Sequence, residues 1–229
     1  MPASDDRKRT KRGRRAPGQR AGLSAETILA KAQLIVEQEG VEHLTMRAIA
    51  GRLCVAPNAL YGHFANKSAL VEAVLDSLLV EVTFPDPDQV AWADGLVALM
   101  QSTRRFLLLH ADLLPEYLAR PTRGPNAIRL GEATLDLLSR AGLEGEAAAD
   151  ALQILLTYTF GFAAQEAPRL PDPDGDVQKA RSEQAFRANA DRPRMSELAG
   201  RLSSYHGDET FEKGLRWLLE GIHRSANGG

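Results

Sequence analysis

The run from Leu44 to Lys67, LTMRAIAGRLCVAPNALYGHFANK, gathers Thr45, Arg47, Pro57, Asn58, Tyr61, Gly62, His63 and Lys67 into one short stretch. No Asp or Glu lies between Glu42 and Glu72, whereas Arg47, Arg52 and Lys67 do. The chemistry on offer is hydrogen bonding and charge pairing with an anionic polymer rather than bond breaking. Asn58 can make a bidentate contact with adenine, and Pro57 or Ala56 can rest against a thymine methyl. Gly62 has no side chain and lets a helix approach closely. Arg47, Tyr61, His63, Lys67 and the Thr45 hydroxyl, together with helix N-terminal N–H groups, suit phosphate oxygens, whose contacts set register and affinity without reading sequence.

To present these groups, the chain needs two short helices joined by a tight turn, which is what a duplex backbone and its major groove require. Thr45 can cap the first, with Ile49, Ala50 and Leu53 inward. Cys54-Val55-Ala56 forms the turn. Pro57 suits the first position of the second, where its missing N–H is not needed, and Leu60 and Phe64 face inward. A preceding helix runs from the Ser24 cap to Glu39, with Gly40 as its stop and Ile28, Ala32, Ile35 and Val36 on one stripe. Asn66 caps a following helix carrying Leu70, Val74, Leu78 and Val82, which Pro85 and Pro87 end.

From Asp88 onward, helical spacing predicts larger, more apolar helices at 88–109, 112–119, 126–141 and 145–166. A polar, proline-rich loop follows at 168–176, then weaker helical signal at 177–189 and 195–203, and a last helix at 208–225. No strand alternation or internal repeat is visible. The expected fold is all-α, in three parts: a disordered basic arm at 1–20, a helix-turn-helix domain at 21–67, and a helical domain at 68–229 that is loop-rich over 168–207.

The bulk numbers agree with this division. The chain has 229 residues, 44% hydrophobic and 25% charged, with a formal net charge of −2. Residues 1–67 hold 12 Lys and Arg against 6 Asp and Glu, while the remainder holds 16 against 24. A basic first third on an acidic body implies that only the first part meets nucleic acid. The single Cys54 excludes an internal disulfide framework and suits a reducing cytoplasm. No apolar stretch is expected to reach the roughly 18 residues of a membrane span. The basic start lacks the apolar segment of a signal peptide.

Residues Leu23 to about Val82 resemble the N-terminal domain of TetR-family (tetracycline-repressor-like) transcriptional regulators. The resemblance rests on AETILAKAQLIVEQEG, LTMRAIAGRL, VAPNALYGHF and NKSALVEAVL, and most specifically on Leu60, Tyr61, His63, Phe64, Lys67 and Leu70. It implies that Thr45, Arg47, Pro57, Asn58, Tyr61, His63 and Lys67 contact operator DNA. Cys54 stands where that family commonly has glycine in the turn, and Ala56 where a small hydroxyl residue often caps the next helix. Residues 106–166 and 211–222 resemble the tetracycline-repressor type of second domain, which implies effector binding and dimerisation.

Residue chemistry points the same way for the second domain. Between Ala147 and Ala167 the only charges are Asp150 and Glu166, so this helix is apolar all round and needs burial on several faces. Leu152 and Leu156 on it, with Phe211, Gly214, Leu215, Leu218 and Ile222 on the last helix, are the expected homodimer contacts, forming an intersubunit four-helix bundle with two-fold symmetry. A pocket for a small hydrophobic or amphipathic effector is expected among Leu107, His110, Leu114, Tyr117, Thr157, Tyr158, Phe162 and Gln165. Effector binding would act by shifting the helix at 66–82.

No cofactor or metal is expected: the five histidines at 43, 63, 110, 206 and 223 fall in no metal-binding spacing, and no glycine-rich phosphate loop is present. An enzyme is therefore disfavoured. Two other readings remain: a helix-turn-helix regulator controlled by a protein partner, and non-specific DNA coating by the basic arm.

Overall fold

Ser24 starts α1 (Ala25–Glu39) by accepting the Thr27 N–H on its side-chain oxygen at 3.2 Å. The computed structural model describes residues 23–120, 123–169, 175–188, 193–203 and 207–227; the basic segment 1–20 lies outside them. Among the described residues all regular structure is helical. The chain divides into two compact units after Leu70.

In the first unit, Gly40 ends α1 at φ 90°, a conformation costly for any residue with a Cβ. A 3₁₀ turn (Val41–His43) leads to α2 (Met46–Arg52). Ile28, Ala32, Ile35, Leu44, Ile49 and Leu60 are fully buried and form the core beneath the polar run. The segment after the turn, Pro57–Gly62, is a 3₁₀ helix rather than a full α-helical turn sequence. Ala56 offers no side-chain oxygen to its first N–H groups, and the Ala59 N–H bonds to the Ala56 carbonyl at 2.9 Å in the i to i+3 pattern. Next, α3 (Lys67–Leu78) starts with Asn66 Oδ1 accepting the Ala69 N–H at 2.9 Å.

The second unit contains the rest of α3 and the helices that follow. Asp86 accepts the N–H groups of Asp88 and Gln89 in a turn, which delays α4 to Trp92–Leu109 instead of the expected start at 88. Then come α5 (Leu114–Ala119), α6 (Pro125–Arg140) and α7 (Gly145–Glu166). Helices also occupy part of the stretch expected to be loop-rich: α8 (Gly175–Arg187), α9 (Pro193–Glu197) and α10 (Ala199–Ser203) pack on one another. The last helix is α11 (Asp208–Asn227).

The core forms where α4 packs on α6, α7 and α11, and α7 on α6 and α11. Contrary to the sequence expectation, α7 is long and apolar enough, by length and composition, to cross a membrane. Within the fold its Leu155, Ala163 and Glu166 are buried against those neighbours.

Candidate nucleic-acid interface

Thr45 Oγ1 accepts the Ala48 N–H at 3.1 Å and so fixes the start of α2, while its own proton stays available to a phosphate oxygen. Arg47, one residue into α2, is exposed. Arg52 differs: its guanidinium is held by Glu39 and reaches Gln38 at 3.5 Å, so it joins α1 to α2 instead of facing outward alone. Beyond the turn, Pro57, Asn58, Tyr61, Gly62, His63 and Lys67 are all exposed, with Tyr61 at 51%. Leu60 in their midst is fully buried and anchors the segment. Nothing lies within 4 Å of where a Cβ on Gly62 would be, so this side is open to a large partner.

One carboxylate faces the rim. Glu26 is held below its usual range, first by hydrogen bonding with Ser24 and its own backbone, and also by the positive potential of His63. Glu39 of the same helix is the partner of Arg52.

The turn explains why Cys54 matters. Val55 N–H bonds to Ala50 O at 3.0 Å and Cys54 N–H to Gly51 O at 3.2 Å, the double closure of a Schellman motif. That closure needs a left-handed residue, and Cys54 supplies it at φ 52°. Its Cβ makes this conformation unfavourable by about 1–2 kcal/mol, part of which glycine would return as backbone entropy. Cys54→Gly is therefore expected to stabilise the first unit by about 0.5–1 kcal/mol, which urea unfolding monitored on that unit will show.

Four of the residues expected to form an effector pocket, His110, Tyr117, Tyr158 and Phe162, belong to two aromatic clusters of the second unit. Tyr117 meets Phe106 at 5.8 Å and Phe160 at 6.4 Å, and Phe106 meets His110 at 4.9 Å. Tyr158 stacks on Phe211 at 5.2 Å and donates to its carbonyl at 3.0 Å, beside Phe162. Leu107, Leu114, Tyr117 and Phe162 are buried core side chains, whereas Thr157 and Gln165 are exposed on α7. His110 and Tyr158 are half-buried. Burial pushes the Tyr117 phenol well up, with Glu81 and Asp76 adding to the shift.

The expected dimer contacts also divide. Phe211 and Leu215 are fully buried within one chain, so they have no surface to offer a second copy. A Cβ on Gly214 would lie 2.2 Å from the Tyr158 hydroxyl, so that glycine serves packing inside the subunit. Leu218 and Ile222 instead line an apolar groove of about 440 Å³ with Leu143, Ala147, Asp150, Ala151, Ile154, Trp217 and Gly221. Leu152 and Leu156 are half-buried on the same helix as Ile154. Trp217 (63% exposed) and Ile154 (44%) are the apolar side chains of this groove most open to solvent.

A buried ionic network was not foreseen. Arg104, 4% exposed, donates to both Glu166 oxygens at 2.8 and 2.7 Å and to Asp208 at 2.6 Å. Its guanidinium lies 5.4 Å from the Phe162 ring centroid and 5.1 Å from that of Phe211. Burial works against its charge, but the hydrogen bonds to Asp208 and Glu166 raise its pKa above the usual value. The signal was present in the sequence: Met100, Thr103, Arg104 and Leu107 share one helical stripe, which puts an arginine among core positions.

The fold and the exposed polar face around Leu60 define a helix-turn-helix DNA-binding regulator with a second helical domain. Comparison with known proteins makes the family plain. The profile of bacterial regulatory proteins of the tetR family matches residues 28–74, and that of the tetracyclin repressor-like C-terminal domain matches 84–225. A HTH-type transcriptional regulator of Saccharopolyspora erythraea is 28% identical over 89% of this chain and 86% of its own length. The class A tetracycline repressor protein from transposon 1721 in Escherichia coli is 29% identical over 87% and 90%. The crystal structure of the TetR family protein ActR from Streptomyces coelicolor, in complex with actinorhodin, superposes with a TM-score of 0.81 at 30% identity, covering 90% of this chain and 98% of that one. The chain belongs to the TetR family of transcriptional regulators.

Proposed function

We propose that two copies of this chain hold a palindromic operator, repress transcription there, and let go when a small, mostly apolar effector enters the second domain. The observation that carries the reading is the outward display of Pro57, Asn58, Tyr61, Gly62, His63 and Lys67 around the buried Leu60. Asn58 and Pro57 read base edges, while Thr45, Arg47, Tyr61, His63 and Lys67 fix the backbone. A six-residue segment reads too few base pairs alone. Pairing across the apolar groove of α7 and α11 supplies a second reading head one half-site away.

For the effector, the relative ActR supports the reading, having been crystallised with actinorhodin and with (S)-DNPA. In this chain an effector would have to part the aromatic clusters of Tyr117 and Tyr158, and so couple binding to helix movement. A protein acting on operator DNA works in the cytoplasm.

Selection of bound fragments from random duplex DNA tests the reading. An inverted repeat is the expected outcome, and a bound pool without a consensus would overturn it. The basic segment 1–20 adds affinity without sequence information. Deleting it should weaken binding and lower the salt slope while the recovered operator stays the same, as titrations at several salt concentrations will show.

A further inference from the structure

The 3₁₀ segment Pro57–Gly62 brings side chains at i and i+3 level, so Pro57 lies in a row with Leu60, Asn58 with Tyr61, and Ala59 with Gly62. Leu60 is fully buried, which directs its own row toward the core and leaves the other two rows on its flanks. Asn58, Tyr61, Ala59 and Gly62 are all exposed. Ala59 was not among the groups expected to face DNA. The 3₁₀ pitch sets its methyl level with the bare Gly62, where nothing lies within 4 Å of a would-be Cβ. The Ala59 N–H is taken by the Ala56 carbonyl at 2.9 Å, so the residue offers a groove its methyl and no donor.

The chemistry of this surface is narrow. From Cys54 to Gly62 there is no Arg, Lys, Gln, Asp, Glu, Ser or Thr. In a major groove, guanine is singled out by the paired donors of Arg or Lys, and cytosine by a carboxylate that accepts from its amine; the segment has neither. The Asn58 amide matches the amine donor and ring acceptor of adenine, and carbon surfaces match the thymine methyl. Tyr61 has one hydroxyl, which cannot supply the paired donors that guanine needs. Arg52, just before the turn, is held by Glu39, and Arg47 and Lys67 lie further off in sequence.

We infer that the segment Pro57–Gly62 reads A·T pairs alone: Asn58 selects an adenine, and the Ala59 methyl, level with the bare Gly62, meets the methyl of a thymine. Ala59 is thus a specificity-determining residue, and each operator half-site carries A·T pairs where the segment lies. The inference rests on the DNA-binding reading above and names the base chemistry that the same site accepts.

The test uses the full-length protein and the operator recovered by selection, with one modified base at a time in each half-site. Deoxyuridine lacks only the thymine methyl, and the deaza purines carry carbon in place of the ring acceptor that faces the major groove. At one adenine per half-site, the deaza analogue is expected to weaken wild-type binding about tenfold and Asn58→Ala hardly at all. At another A·T pair, deoxyuridine should weaken the wild type about threefold, a loss that Ala59→Gly no longer shows. Any effect of deazaguanine should be the same in the wild type and both variants, since it arises outside the segment. A guanine effect that vanishes in Asn58→Ala overturns the inference, and so do adenine and thymine analogues that leave wild-type affinity unchanged throughout. A deoxyuridine loss of equal size in Ala59→Gly overturns it likewise. Should Ala59→Gly not fold, the wild-type and Asn58→Ala series decide alone. A wild type that recovers no operator fails earlier, at the DNA-binding reading itself.

Discussion

Replacing Trp217 with glutamate is expected to separate the proposed dimer into folded monomers and to cost most of the operator affinity. Trp217 is 63% exposed on one subunit, at the edge of the groove formed by α7 and α11. Its loss removes no core packing, since Phe211, Leu215 and Leu219 carry the inward face of α11. In a two-fold interface each substitution counts twice. Buried aromatic anchors are worth about 2 kcal/mol or more each, so the dimer should weaken by about 4 kcal/mol, close to a thousandfold. The new carboxylate would also lie in the same groove as Asp150, and Lys213, 5.1 Å from the Trp217 ring, offsets this only in part. Without the link between heads, the avidity of two half-sites is lost, about 10²–10⁴-fold in operator binding. Sedimentation and mobility-shift titration read the two effects. A variant that stays dimeric and keeps its operator affinity would remove this face from the interface.

The largest stability effect is expected from Arg104→Ala. The substitution leaves Glu166 buried without its bidentate partner and opens a space between Phe162 and Phe211. Breaking one side of a buried ion pair costs about 3–5 kcal/mol. For a unit of this size that lowers the melting temperature by about 10 °C. The contribution of Asp208 is smaller, because its side chain is 88% exposed and solvent screens it. Replacing both Arg104 and Glu166 with leucine should recover much of the loss, since an apolar pair leaves no uncompensated charge. Calorimetry distinguishes the two outcomes. If the single variant melted like the wild type, the network would hold nothing together.

Much of this arrangement could be read from residue order, and the exceptions have physical causes. Caps and breakers act locally, which is why Ser24, Thr45, Asn66 and Gly40 marked helix ends well. The segment Pro57–Gly62 is 3₁₀ where an α-helix was expected, because a helix type in so short a stretch is not set by residue spacing alone. Residue spacing also placed the exposed groups around Leu60 as expected, since burial of one leucine in so short a segment fixes what faces outward.

Spacing was less informative in the second unit. The stripe through Phe211, Leu215, Leu218 and Ile222 spans two surfaces, one turned to α4 and α7 and one to the groove. Both faces are apolar, so hydrophobicity alone could not separate core from interface. Apolar spacing likewise gave no sign that Tyr158 stacks on Phe211 or that Tyr117 meets Phe106 edge-on. Asp76 escaped notice because its partner Asn126 is distant in sequence and only the fold brings the two together, and the stripe that marks Arg104 as a core position does not name Glu166 as its partner.

The central claim is that the segment Pro57–Gly62 reads base edges, and repeating the random-duplex selection with Asn58→Ala tests it most directly. Relaxed preference is expected at one base pair in each half-site, by about 1–3 kcal/mol, with the half-site spacing and all other positions unchanged. A consensus identical to that of the wild type at every position would contradict the account.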